Sequence, residues 1–216
     1  MASDITRFAR IGLWALPVYA FTLGAGTITH QPPPQTDLAG WSQYVTTNEF
    51  LVSHILFSIF GAVFGVIGVT SLGIVLIERG SVKLGLAGLL TGVTANVVIT
   101  SVFGIAAFAQ PAIGRLYESG QHALAQSVYN DAAQGTPMVI VALVSIVLLV
   151  TSFIVFGVAF ARLALMPKPA GIGYSVSGVM FALIGFALDN WIQTAAAVLM
   201  VVCASWMVVA LRRAPA

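Results

Sequence analysis

Three histidines and a few carboxylates are the groups in this chain able to carry proton, metal or redox chemistry. His30, His54 and His122 are expected to face the outer side, as are Asp37, Glu49, Glu118, Asp131 and Asp189. A bis-histidine haem needs two imidazoles at matched depth on facing helices. Only His54 falls within an apolar helical run, so a haem could be held only through a less regular pair such as His30 and His54. The spacings HExxH, HxH and HxxxH are all absent, which leaves a metal site without a sequence signature. Glu118 and His122 are four apart, a spacing that suits a solvated surface pair as well as a ligand pair. His54, about one and a half turns from Glu49, is the leading titratable candidate. Ionisable groups near membrane depth are functional candidates by default.

Asn96 is the strongly polar side chain in the middle of an apolar run. A buried amide there must find partners, because an unpaired polar group in hydrocarbon costs several kcal/mol. It is expected either to bond a neighbouring helix or to touch a ligand, with Thr100 on the same face and Ser58 on a facing one. Nucleophilic catalysis has no support: GxSxG is absent, and the lone Cys203 lies inside an apolar run where a thiol stays inert. No phosphate-binding loop occurs. Neither an enzyme nor a particular cofactor is indicated, and the cofactor is left unknown.

The elements that position these groups follow from composition. The 216 residues are 59% hydrophobic and only 7% charged, whereas a soluble domain carries about 25% charged residues. Too few polar side chains exist to cover a water-facing surface, and disorder would need the opposite balance. A single cysteine excludes an intrachain disulfide. The expected class is an all-α integral membrane protein, a single domain over 1–216. Six runs approach the roughly 20 apolar residues that cross a bilayer, about 11–28, 50–77, 84–109, 137–161, 171–188 and 191–211.

An even number of spans places Arg7, Arg10, Arg79, Lys83, Arg162, Lys168, Arg212 and Arg213 on one side and only Arg115 on the other. The positive-inside bias then puts both termini in the cytoplasm, as expected in a bacterial cytoplasmic membrane. The net charge of +2 comes from these topology-setting residues and does not suggest nucleic acid as a partner. Pro17 interrupts the first apolar run and Gly24-Ala25-Gly26 is a poor cleavage site, so a retained signal-anchor helix is expected.

Outer loops are expected over about 29–48 and 111–135. Leu38 to Val45 reads as a short interfacial helix with Trp41 and Tyr44 at headgroup depth. Ile113, Leu116, Tyr117, Gly120, Leu124 and Val128 share one helical face, predicting an amphipathic helix on the outer surface or capping the bundle. Thr46-Thr47-Asn48-Glu49 and Asn190-Trp191-Ile192-Gln193 read as capping boxes, and Thr136-Pro137 as a cap before a first-turn proline.

Small residues recur every three or four positions: His54, Ser58, Gly61, Gly65 and Gly68 in span 2, and Gly88, Gly92, Asn96, Thr100 and Gly104 in span 3. Span 5 repeats the pattern through Gly171, Ser175, Gly178, Ala182, Gly185 and Asp189. Such stripes let backbones approach in lipid, and spans 2 and 3 are expected to pair through theirs.

The leading functional expectation is a non-catalytic membrane protein, surrounded by the lipid bilayer, that joins other membrane subunits or holds an apolar or lipid ligand. A passive channel along the Asn96 stripe is the second expectation. The third is a metal or haem redox role for the outward cluster of His30, Glu118, His122 and Asp189 around His54.

Overall fold

The computed structural model describes residues 4–29, 33, 37–164, 166–185 and 190–214. Among them the protein is all-helical, and five helical stretches are long and apolar enough to cross a membrane: Asp4–Ile28, Asn48–Glu78, Val82–Glu118, His122–Arg162 and Trp191–Arg213. The chain is an all-α membrane protein. Its apolar exterior fits that setting: Phe21, Val97, Val147 and Val202 are all exposed, which water would penalise and lipid does not.

Helix α1 (Asp4–Gly12) and α2 (Ala15–Thr29) form the first stretch. They part at Leu13–Trp14 because Pro17 has no N–H to give the Leu13 carbonyl and its ring crowds that group. After α3 (Leu38–Val45), the second stretch is α4 (Asn48–Ser53), a π-helical segment His54–Ile59, and α5 (Phe60–Glu78). The third is α6 (Val82–Gly104), a π segment Ile105–Ala109, and α7 (Gln110–Glu118). Helix α8 (His122–Val128), a π segment Tyr129–Ala133 and α9 (Thr136–Arg162) follow. Helix α10 (Lys168–Val179) continues into a fourth π segment, Met180–Gly185, and α11 (Asn190–Arg213) closes the chain.

The third stretch is 37 residues long, or about 55 Å against a hydrocarbon core of about 30 Å. The helix of span 3 therefore continues past residue 109 into the segment expected as an outer loop. Pro111 sits inside it without breaking it, because the wide π turn before it moves the carbonyl that its ring would meet. Beyond the core, α7 and α8 form a helical hairpin that turns at Gly120, whose φ of 85° suits glycine. The single amphipathic helix expected across 113–128 is therefore two helices. Helix α3 packs on this hairpin, and Trp41, Val45, Phe50, Ile113, Ala125, Tyr129 and Ala133 form a second small core. Trp41 is 5% exposed and meets Tyr129 edge-on at 4.7 Å. It is buried inside this cap, among residues of α3, α7, α8 and the π segment Tyr129–Ala133.

The main core joins α1, α2, α5, α9, α10 and α11, around Leu16, Leu72, Phe153, Phe156, Tyr174 and Met200. The glycine stripes pack: Gly65 of α5 faces Asn96 of α6, as expected for spans 2 and 3, while other members of the stripes take different partners. Gly61 and Gly68 of α5 face Thr22 and Leu16 of α2. Gly88 and Gly92 of α6 face Phe156 and Ser152 of α9, with Val69 of α5 also against Gly92. Ser152 donates to the Gly88 carbonyl at 3.1 Å. Helices α5 and α6 meet most closely lower down, where Gly73 and Gly85 let the backbones touch. Helix α10 places Gly171 against the Gly157 backbone and Gly178 against Phe153. Ser175 donates to the Phe153 carbonyl at 3.1 Å.

Candidate functional site

The end of the bundle next to the cap gathers the unusual backbone. The π segments His54–Ile59, Ile105–Ala109 and Tyr129–Ala133 each lie where a membrane helix passes into the cap, and such turns are frequent at functional sites. His54 opens the first and is 8% exposed. Its Nδ1 lies 2.8 Å from the Phe50 carbonyl. A carbonyl can only accept, so Nδ1 carries the proton and Nε2 is the acceptor nitrogen. The ring also rests on Phe50, with centroids 4.1 Å apart. Ser58 lies half-buried in the same π segment.

The other predicted residues are dispersed. Glu49 is exposed in the first turn of α4. The cap there is Thr47, which accepts from the Phe50 amide at 3.1 Å, so the Thr46–Glu49 capping box is not formed. Thr46 instead donates to the Ser42 and Gln43 carbonyls, both at 3.0 Å, and reaches Glu118 at 3.3 Å. Glu118 thereby ties the hairpin to α3. His122, past the Gly120 turn, stacks on Tyr117 at 4.2 Å, so the expected four-residue helical pairing with Glu118 is lost.

Thr136 is the first helical residue rather than the cap. Gly135 takes that place because a Cβ there would collide with the Asp131 carbonyl. Gln193 donates to the Phe181 carbonyl at 3.2 Å, inside the fourth π segment, and the side chain of Asn190, with which it was expected to form a capping box, lies outside the described residues. His30 and Asp189 lie outside the described residues. Among the described residues, no three His, Cys, Asp or Glu side chains gather as a metal ion would require.

Asn96 is 1% exposed in the middle of α6. Its Nδ2 donates to the Gly92 carbonyl of its own helix at 2.8 Å, and Thr100 donates to the Asn96 carbonyl at 2.7 Å. The amide fills the gap left by Gly65, beside the Tyr19 ring. Its Oδ1 is buried outside hydrogen-bond geometry, with the Tyr19 hydroxyl as the facing polar group. Packing closes around Asn96 on the Gly65 side.

Space occurs elsewhere. A groove of about 310 Å³ runs between α2, the first π segment and α11, lined by Gly24, Ala25, Phe57, Ala197, Val198 and Val201. Sequence reasoning missed it. Its only trace was the run Gly24-Ala25-Gly26 opposite Ala195-Ala196-Ala197, small residues that leave room when helices meet. Near its outer end, Thr27 donates to the Gly24 carbonyl at 2.9 Å. Its hydroxyl also shares a hydrogen bond of 2.8 Å with the Thr194 hydroxyl. The hydroxyls at this end therefore satisfy each other, and the groove offers an apolar wall. A second groove, also about 310 Å³, lies between α6 and α9 near the cap, with Asp131 at its rim and Val102, Ile105, Met138 and Val141 inside.

Comparison with protein families, with curated proteins and with solved structures finds no match for this chain.

Proposed function

We propose that this protein is a non-catalytic multi-pass membrane protein that holds one apolar chain, such as a lipid tail, in the groove between α2, the first π segment and α11. The observation that carries the proposal is that groove. It has the volume of a small ligand site, its walls are small and apolar residues, and its neighbouring hydroxyls are already paired. A groove of this kind recognises shape and hydrocarbon, not charge. Helix α10 with its π segment supplies the sixth crossing, short and rich in small residues. With six crossings, eight of the nine basic residues fall on one side, which favours cytoplasmic termini in a bacterial cytoplasmic membrane.

The test is native mass spectrometry of the full chain extracted in mild detergent. A bound hydrocarbon-bearing species is expected, lost when Ala25→Phe or Val201→Phe fills the groove. A bare protein, or a species retained equally by both variants, would overturn the proposal. A co-purifying protein displaced by the same substitutions would assign the groove to a partner subunit instead.

A further inference from the structure

At the opposite, basic end lies a pair of arginines that the groove does not involve. Helix α1 packs against the end of α5 there: the Thr6 hydroxyl bonds Glu78, and Gly12 abuts Ser71. Arg79 follows α5 and reaches across to α11. Its Nη2 donates to the Leu211 carbonyl at 3.0 Å and to the Ala214 carbonyl at 3.1 Å. Carbonyls at a helix C-terminus have no partner within the helix, so this arm of Arg79 is held in place. Its Nε is nevertheless buried without a partner, and so is the Nε of Arg10, one turn beyond Thr6 on α1. Among the described residues the Arg10 side chain makes no hydrogen bond or ion pair.

We infer that Arg10 and Arg79 form a binding site for a phosphate group, carried by an anionic lipid headgroup or present as the free anion. Two half-buried guanidiniums with unused donors require an acceptor with several oxygens, and the planar fork of arginine matches phosphate. Glu78, the nearby carboxylate, is exposed and already accepts from Thr6. Burial holds the Arg79 guanidinium below its ordinary range, the charge of Arg10 adds to this, and Glu78 opposes it. An anion between the two arginines relieves both unfavourable contributions. The surroundings draw such a ligand, since Arg7, Lys83, Arg212 and Arg213 belong to the same end and basic pockets between membrane helices bind anionic headgroups.

The experiment uses the full chain in neutral detergent, titrated separately with phosphatidylglycerol, phosphatidylcholine and inorganic phosphate, with binding read by native mass spectrometry and calorimetry. Phosphatidylglycerol is expected to be retained over phosphatidylcholine, and Arg10→Gln to weaken that retention about fivefold or more. Arg7→Gln, an exposed charge on the same helix, is expected to change it less than about twofold. Phosphate that binds with the same dependence on Arg10 assigns the site to the free anion as well. Phosphate that fails to bind while phosphatidylglycerol is retained assigns it to the headgroup.

Equal retention of both lipids without phosphate binding would overturn the site, as would an Arg7→Gln effect equal to that of Arg10→Gln. Should Arg10→Gln not fold, arginine-directed labelling of the unaltered protein replaces it. Phosphatidylglycerol or phosphate is expected to protect Arg10, and labelling unaffected by either rejects the site.

Discussion

The bundle and the cap are held together in different proportions of the same means. In the bundle the close contacts are made by Gly61, Gly68, Gly88, Gly92, Gly157 and Gly171. In the cap one such contact, Gly114 against the Ser42 backbone, is joined by a cluster of large side chains, Trp41, Phe50, Ile113 and Tyr129. Lipid tails solvate a leucine as well as a protein interior does, so burying one in the bundle yields little. Tight backbone approach and shared hydrogen bonds must hold it instead. Outside the bilayer, water restores the hydrophobic drive and large side chains become the better adhesive. One continuous helix, Val82–Glu118, passes from the first regime to the second, and in the cap Ile113 joins Gly114 among its packing residues.

Substitutions should divide along that line. The largest effect is expected from Gly171→Leu, which drives a side chain into the Gly157 backbone carbonyl. It should cost about 3 kcal/mol or more and lower the thermal unfolding temperature of the whole bundle in detergent. Gly92→Leu should follow, separating α6 from Ser152 of α9 as well as from Val69 of α5. An unchanged unfolding temperature in either variant would break the contrast.

In the cap, Trp41→Ala removes an aromatic that is 5% exposed and should cost about 3 kcal/mol. That loss should remain local, seen as faster proteolysis between residues 37 and 47 with the bundle transition in place. If the bundle melts with the cap, the two cores are one cooperative unit and the comparison fails. A smaller change is expected from Gln193→Leu, which removes the side-chain bond to the Phe181 carbonyl at about 1 kcal/mol, read by thermal unfolding. Smallest is Glu118→Gln: its contact with Thr46 is exposed at 3.3 Å. It should shift stability by less than about 0.5 kcal/mol, and cap proteolysis should be unchanged.

Much of the fold was legible where the signal was local. Helix Leu38–Val45 appears with the expected bounds, and Asp37 caps it by accepting from the Gly40 amide at 2.9 Å. The apolar runs became helices, with ends displaced where neighbours supplied a better partner. Thr47 rather than Thr46 caps α4 because Thr46 is drawn to the Ser42 and Gln43 carbonyls. The two prolines show the boundary of legibility. Pro17 parts α1 from α2, as an internal proline usually does. Pro111 interrupts nothing, because a π turn precedes it, and π turns have no sequence signature in hydropathy. The candidate site was less legible still. His54 and Asn96 stood out as polar groups in apolar runs and proved buried and largely engaged, whereas the groove is made of residues that carry no chemical label.

Composition and run length alone determined that this chain enters a bilayer as helices. Hydrocarbon demands that each segment satisfy its own backbone, and that demand acts segment by segment. Charge placement along the chain likewise marked a basic end in advance. Only the tertiary structure decided which stripe members meet which helix: Gly61 and Gly68 of α5 turn to α2 while Gly65 meets Asn96 of α6, Gly88 and Gly92 of α6 turn to α9, and α10 packs on α9. It also decided that the segments of the cap fold on one another and that Arg10 and Arg79 come to the same end of the bundle, each with a buried Nε that lacks a partner. These outcomes depend on lateral contacts between segments far apart in sequence. Small residues permit such contacts with any partner, so their spacing alone cannot select one.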